Sequence, residues 1–273
     1  MKKLPTYFIS HGGGPWPYVP QMRNQLKVLE QSLADIPRQI GVTPTAILMV
    51  SGHWEEAGFS VMASARPTML YDYGGFPEHT YHVIYGAPGA PELALRIHDL
   101  IKAAGLPTQL DHDRGFDHGT FSPLAVMYSD ADVPVLQVAL KEGLDPAIHL
   151  ALGRALAPLR DEGVLIIGSG LSYHNLRAMG AAGAEPSKAF DAWLQKILIS
   201  APPAERRAQL LAWEQAPAAR MSHPREEHLL PLMVAVGAAE LEPAACVYHE
   251  TTFTGSVVAS SFRFGATEGL EPL

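Results

Sequence analysis

The sequence predicts an α/β fold: a central, mostly parallel or mixed sheet flanked by helices, with a metal site at the carboxyl ends of its strands. Three observations lead there. Tyr7-Phe8-Ile9-Ser10 runs into His11, and Ala46-Ile47-Leu48-Met49-Val50-Ser51-Gly52 runs into His53. Val164-Leu165-Ile166-Ile167-Gly168-Ser169-Gly170 ends shortly before His174. Near-continuous apolar runs mark strands covered on both faces, as in parallel sheets between helix layers. Such sheets bind ligands beyond the carboxyl ends of their strands, so histidines placed there share one crevice. Imidazole is also the commonest protein ligand for a borderline transition metal.

The elements follow in order. Thr6 to Ser10 is the first strand, and Met22 to Leu33 has apolar residues at helical spacing. Ala46 to Ser51 is a central strand, with Gly58 to Ala63 as its expected hairpin partner. Tyr71 to Pro91 is rich in Gly and Pro, carries aromatic and histidine residues, and reads as a site wall. Pro91 to Ala104 is a helix stopped by Gly105, and Pro134 to Leu140 is a strand. Ile148 to Asp161 is a helix ending at Gly163, directly before the strand to Gly170. Ser187 to Ser200 and Glu205 to Glu214 are helical around Ala201-Pro202-Pro203-Ala204. A late helix follows Ser222 or His223 with Pro224 at its first position, unless Pro231 places its start later. Ala245 to His249 and Ser256 to Phe264 are the last strands. With no internal repeat and no linker, residues 1–273 read as a single catalytic domain.

Composition narrows the function. The net charge is −8 and no basic run exceeds two residues, which argues against a nucleic-acid partner. The single cysteine, Cys246, excludes an intramolecular disulfide and a thiolate cluster, and its apolar surroundings mark it as packed. Met1-Lys2-Lys3-Leu4-Pro5 lacks a signal-peptide core, and no run reaches the roughly 18 apolar residues of a membrane span. The expectation is a cytoplasmic monomer or small homo-oligomer with no membrane contact.

Five histidines stand out. Ser10-His11-Gly12-Gly13-Gly14-Pro15 offers backbone freedom but lacks the Lys-Ser/Thr end of a phosphate loop. Ser51-Gly52-His53-Trp54-Glu55 repeats the strand-then-histidine pattern, and Ser172-Tyr173-His174-Asn175 supplies a third case. His228, in Arg225-Glu226-Glu227-His228, fits an exposed polar face as well as it fits a site. His118 precedes a helix expected around Ser122-Pro123, where a neutral imidazole could exchange a proton near a metal. His98 and His149 sit in ordinary helical context, His249 adjoins a strand, and His79 and His82 lie in the loop without a strand behind them.

Taken in order, these motifs resemble the class III extradiol ring-cleavage dioxygenases, in particular their small single-chain group. The resemblance rests on Ser10 to Pro15, Ser51 to Glu55, Gly74-Gly75-Phe76-Pro77-Glu78, Asp117-His118-Gly119-Thr120-Phe121, Gly168 to Gly170 with His174-Asn175-Leu176, and Arg225 to His228. It implies metal ligands at His11, His53 and His228. It makes His174 an acid/base group or a further ligand, and His118 a substrate-side histidine. It also implies Fe(II) for activity, with Zn(II) as a possible bound ion. The reaction implied is opening of a small aromatic diol, DOPA-like or another substituted catechol, by O2 to a muconate semialdehyde-type product.

A rival reading keeps the same histidines around Zn(II) in a hydrolase, with His174 or Glu55 as general base. A third is a noncatalytic binding protein. Phe76, Tyr81 and His82 are expected to wall the ring pocket, and Arg177 or Arg225 to pair with a carboxylate tail on the substrate.

Overall fold

The computed structural model describes residues 3–266; Met1 and Lys2, at the head of the segment read for a leader, lie outside it. Its strands are β1 Thr6–Ser10, β2 Ala46–Ser51, β3 Glu55–Glu56, β4 Phe59–Met62 and β5 Thr108–Asp111. They continue with β6 Val135–Gln137, β7 Leu140–Lys141, β8 Val164–Gly170, β9 Ala244–Phe253 and β10 Val257–Phe264. Six form one sheet in the order β6-β2-β8-β1-β10-β9. The first four of these run parallel, and β10 and β9 join antiparallel, so the sheet is mixed.

The helices are α1 Pro20–Gln25, α2 Lys27–Ile40, α3 Pro91–Ala103, α4 His118–Met127 and α5 Pro146–Leu156. After them come α6 Ala184–Gln195, α7 Pro203–Leu211, α8 Ala219–Ser222 and α9 Leu230–Gly237. Successive strand residues point to opposite faces, and that period divides the core. Phe8, Leu48, Val50 and Ile166 pack on one face with residues of α5 and α9. Tyr7, Ile9, Ile47, Met49, Leu165 and Ile167 pack on the other with residues of α2 and α4. A sheet covered on both sides leaves the open ends of its parallel strands as the place where side chains can meet a ligand.

Several expected elements differ. Gly58 to Ala63 is not a hairpin partner of β2: β4 pairs in parallel with β5, Phe59 opposite Thr108. The polar, half-buried Thr108-Gln109-Leu110-Asp111 carries no apolar run that would have announced that strand. The first helix breaks at Leu26 and extends to Ile40, where Gly41 takes the left-handed conformation that ends it. The α4 helix begins at His118 rather than Ser122, because the Asp117 side chain accepts from Thr120 N and caps it. Pro231, not Pro224, occupies the first turn of the late helix. Among the described residues no helix is long and apolar enough to cross a membrane.

His149 is fully buried, and its local bonds define its tautomer. Nδ1 donates to Asp145 O at 2.7 Å, so Nε2 accepts from Lys141 N at 3.1 Å. Burial is the main reason its pKa drops to about 4. A folded-state pKa below the unfolded value means that stability is held above about pH 6.5 and lost as the pH falls toward 4. Chemical denaturation across that range is expected to show the loss, and H149Q to remove His149's share of it.

Candidate metal centre

The loop after β1 brings His11 to the crevice, the turn after β2 brings His53, and α4 opens with His118. His174 comes from the loop after β8, and His228 from the turn before α9. His228 Nε2 lies 3.1 Å from His53 Nε2, which lies 3.3 Å from His11 Nε2. A ring nitrogen of His118 shares a cluster with those of His11 and His53, and His174 forms a second cluster with Glu227 and His228. The His174 ring stacks on His228 with centroids 3.4 Å apart. All five histidines line one cavity of about 730 Å³. His228, which the sequence left open to a surface reading, is buried.

Outer hydrogen bonds fix where the ring protons sit. Ser169 Oγ donates to Gly119 O, so it must accept from His11 Nδ1 at 3.0 Å. Glu227 Oε1 accepts from His228 Nδ1 at 3.0 Å and from His174 Nδ1 at 3.1 Å. Asp72 Oδ2 faces His53 Nδ1 at 3.4 Å, and its Oδ1 accepts from His118 Nδ1 at 2.9 Å. In neutral rings these contacts leave the Nε2 atoms of His11, His53 and His228 unprotonated and facing one another. Burial, then neighbouring histidines, depress the pKa of His11; for His53, the same order of causes brings it to about 4. Burial is also the largest cause for His228. Three buried lone pairs converging without a proton are complementary to a cation, and each ring is oriented from behind as a metal-bound histidine is.

Two carboxylates complete the electrostatics. Burial acts to raise Glu227, but the hydrogen bonds from His174 and His228 outweigh it and hold the group well below the usual carboxylate range. Asp72 shows the same balance: burial acts to raise it, and the hydrogen bonds from His118 together with the His118 and His53 charges bring it down. Both were missed as site residues. Glu227 sits on the Nδ1 side of His228, behind the converging Nε2 atoms. Asp72 is an acid within the aromatic Tyr71-Asp72-Tyr73 stretch, which is the signal that could have found it.

Glycines let the backbone close around this centre. A methyl group on Gly170 would overlap the His228 carbonyl oxygen, which accepts from Leu171 N at 3.1 Å. Gly12, at φ +80°, and Gly14, at φ +53°, leave room for the Trp16 and Phe76 rings. Their role is close packing.

Other expected residues are placed differently. Tyr73 and Phe76 of the long loop line the cavity, but Tyr81 and His82 do not; His82 pairs with Glu78 on the surface. Glu55 is bound to Arg225 and is absent from the lining, which removes it as a general base. Arg225 is therefore engaged, and also sits 3.6 Å from Glu227. Arg177 is exposed and does not line the cavity.

Residues 5–263 match the family model described as the catalytic LigB subunit of aromatic ring-opening dioxygenase. The chain belongs to that family. It is an oxidoreductase of the extradiol ring-cleaving class, using O2 on a catechol-type ring, and the family's chemistry is metal-dependent. It is 40% identical over 267 residues to 4,5-DOPA dioxygenase extradiol of Beta vulgaris, covering 96% of this chain and 97% of that one. The protein of the same description in Escherichia coli K12 is 34% identical, with 96% and 95% covered. The crystal structure of an uncharacterized Escherichia coli K12 protein superposes with a TM-score of 0.72 at 30% identity, covering 96% of this chain and all of that one. Family membership overturns the noncatalytic reading.

G170A is expected to displace the segment carrying His228 and to lower stability by about 1–3 kcal/mol, as other overpacked sites do. Urea denaturation measures the loss; an unchanged midpoint would mean that the strand end yields without moving its neighbour.

Proposed function

We propose that residues 1–273 form one catalytic domain that opens a DOPA-like or other substituted catechol in an Fe(II)-dependent reaction. His11, His53 and His228 would hold the metal. The observation that carries this reading is the meeting of their three unprotonated Nε2 atoms, each ring braced through Nδ1. Bound iron would supply the redox chemistry between the ring and O2, which closed-shell Zn(II) lacks. Zn(II) nonetheless suits a nitrogen-rich donor set and can occupy such a centre without supporting turnover.

The protein's own groups have distinct tasks in this reading. His174 keeps its Nδ1 proton on Glu227, which leaves Nε2 to take a proton from a substrate hydroxyl and later return it. His118, braced by Asp72, presents its other edge to the same cavity. Tyr73 and Phe76 supply aromatic surface for the ring. The zinc-hydrolase alternative loses one of its two bases with Glu55 and has no support from the family.

The test starts from metal-free protein reloaded anaerobically with Fe(II) or Zn(II). With iron, addition of O2 to at least one of catechol, protocatechuate, caffeate and DOPA should consume oxygen and form a yellow ring-opened product; with zinc none should. Absence of product from the whole panel would count against the assignment. Alanine at His11, His53 or His228 should each lower metal content and nearly abolish turnover, whereas H174A should cost rate more than occupancy.

Removing an outer hydrogen-bond partner of a metal-bound histidine typically weakens metal binding about 10–100-fold. D72A is therefore expected to lose metal in chelator competition while its fold, followed by circular dichroism, persists. Unaltered affinity would show that His53 needs no brace.

A further inference from the structure

Away from the histidines, the cavity is walled by different elements and a different chemistry. Met22, Leu26, Leu171, Met179 and Phe253 form its apolar side, coming from α1 and its end, the loop after β8, and the end of β9. Gln25, Thr252 and Thr254 are exposed at the mouth and carry no charge. Among the described residues, no lysine or arginine lines the cavity, and its one carboxylate is Asp72 on the histidine side. The nearby cations are engaged or turned away: Arg225 binds Glu55, Arg23 binds Glu30, and Arg177 lies exposed outside the lining.

We propose that this cavity selects catechols whose ring substituent carries no net negative charge, and discriminates against those bearing a lone carboxylate. The ring-cleaving use of the site rests on the function proposed above, but the selectivity arises at a separate wall. A carboxylate passing Met22, Leu26 and Phe253 gives up water and finds no cation in return, a cost that an ester, amide, alcohol or alkyl tail escapes. A neutral polar tail meets the Gln25 amide and the Thr252 and Thr254 hydroxyls, which both donate and accept. A zwitterionic tail brings its own cation and remains acceptable. This replaces the expected role of Arg177 and Arg225.

A close pair tests the charge: 3-(3,4-dihydroxyphenyl)propanoate and its methyl ester, which share the ring and the three-carbon tail and differ by the charge and one methyl group. With the iron-loaded full chain at neutral pH, kcat/KM should favour the ester by about tenfold or more, the least expected of a charge that is only partly desolvated at an open mouth. Dissociation constants taken anaerobically, from the change in tryptophan fluorescence, should show the same order. M22K and Q25K should each shift the acid-to-ester ratio toward the acid, and R177A should leave that ratio where it was.

Equal or reversed preference in both turnover and binding overturns the proposal. So does a ratio unmoved by both lysine variants, or specific loss of the acid in R177A, which would show a cation reaching the tail. If neither compound is opened but the ester binds more tightly, the ring-cleavage reading falls and the selectivity stands. If both are opened at equal efficiency with equal affinity, the reverse holds.

Discussion

The Asp117 carboxylate, fully buried at the start of α4, is the tie on which the centre's geometry depends. Its Oδ1 accepts from Ser51 Oγ at 2.8 Å and from Thr120 N at 3.1 Å; its Oδ2 accepts from Gln137 Nε2 at 2.7 Å and from Arg114 at 3.0 Å. Four donors saturate the two oxygens, so the buried charge is satisfied as well as paired. Those bonds join the ends of β2 and β6 to the first turn of α4. Ser51 Oγ also accepts from His53 N, and Arg114 donates to His53 O, so the backbone of His53 is held on both sides. Two residues on, Gly119 O takes the Ser169 hydroxyl that orients His11. Removing one partner from such a network costs about 3–5 kcal/mol, because the rest stays buried without compensation.

Held in place by that framework, the imidazoles face an electrostatic problem that proximity alone would make worse. Five rings in one cavity repel if charged, and burial disfavours charge independently of that repulsion. The carboxylates at Asp72 and Glu227 lie behind the rings, where they fix protons on Nδ1 and leave the cavity side to lone pairs. Negative charge placed behind a ligand raises its basicity without occupying a coordination position. The same arrangement separates the roles of two adjacent residues: His228 turns inward, while Glu227 serves both His228 and His174 from outside. A carboxylate next to a histidine in sequence is thus not, for that reason, a ligand beside it.

The parts legible in the sequence were those carried by a strong local signal. β1, β2 and β8 are buried throughout and largely apolar because both faces are covered, and a histidine just beyond such a strand can only lie at the sheet's open end. β5 was invisible because Thr108-Gln109-Leu110-Asp111 sits half-buried at the margin of the fold. The α4 start was readable in principle, since Asp117 two residues before Gly119 is a capping acid, but Pro123 drew the boundary too late. Asp72 and Ser169 pair with histidines 46 and 158 residues away, His118 and His11; the aromatic neighbours of Asp72 mark it as a candidate, but nothing local names either partner. The arginines show the opposite error. Arg225 neighbours the site in sequence, yet an acid from another segment, Glu55, occupies it.

Division of labour between scaffold and rim follows from where each group is attached. His11 and His53 hang from strand ends and His118 from the capped α4, segments backed by a core on each side of the sheet, while His228 sits in the turn before the buried α9. The tail-facing wall comes from the short α1, the loop after β8 and the β9–β10 turn, where Thr254 and Gly255 take left-handed conformations at φ 49° and 101°. Loop positions outside those two left-handed residues accept substitutions with little effect on the sheet behind them. In the proposed reading, the chemistry would be anchored where change is expensive, and tail selection would be set at the rim. Such a separation would allow one ring-opening centre to serve catechols with different tails without rebuilding the histidine cluster.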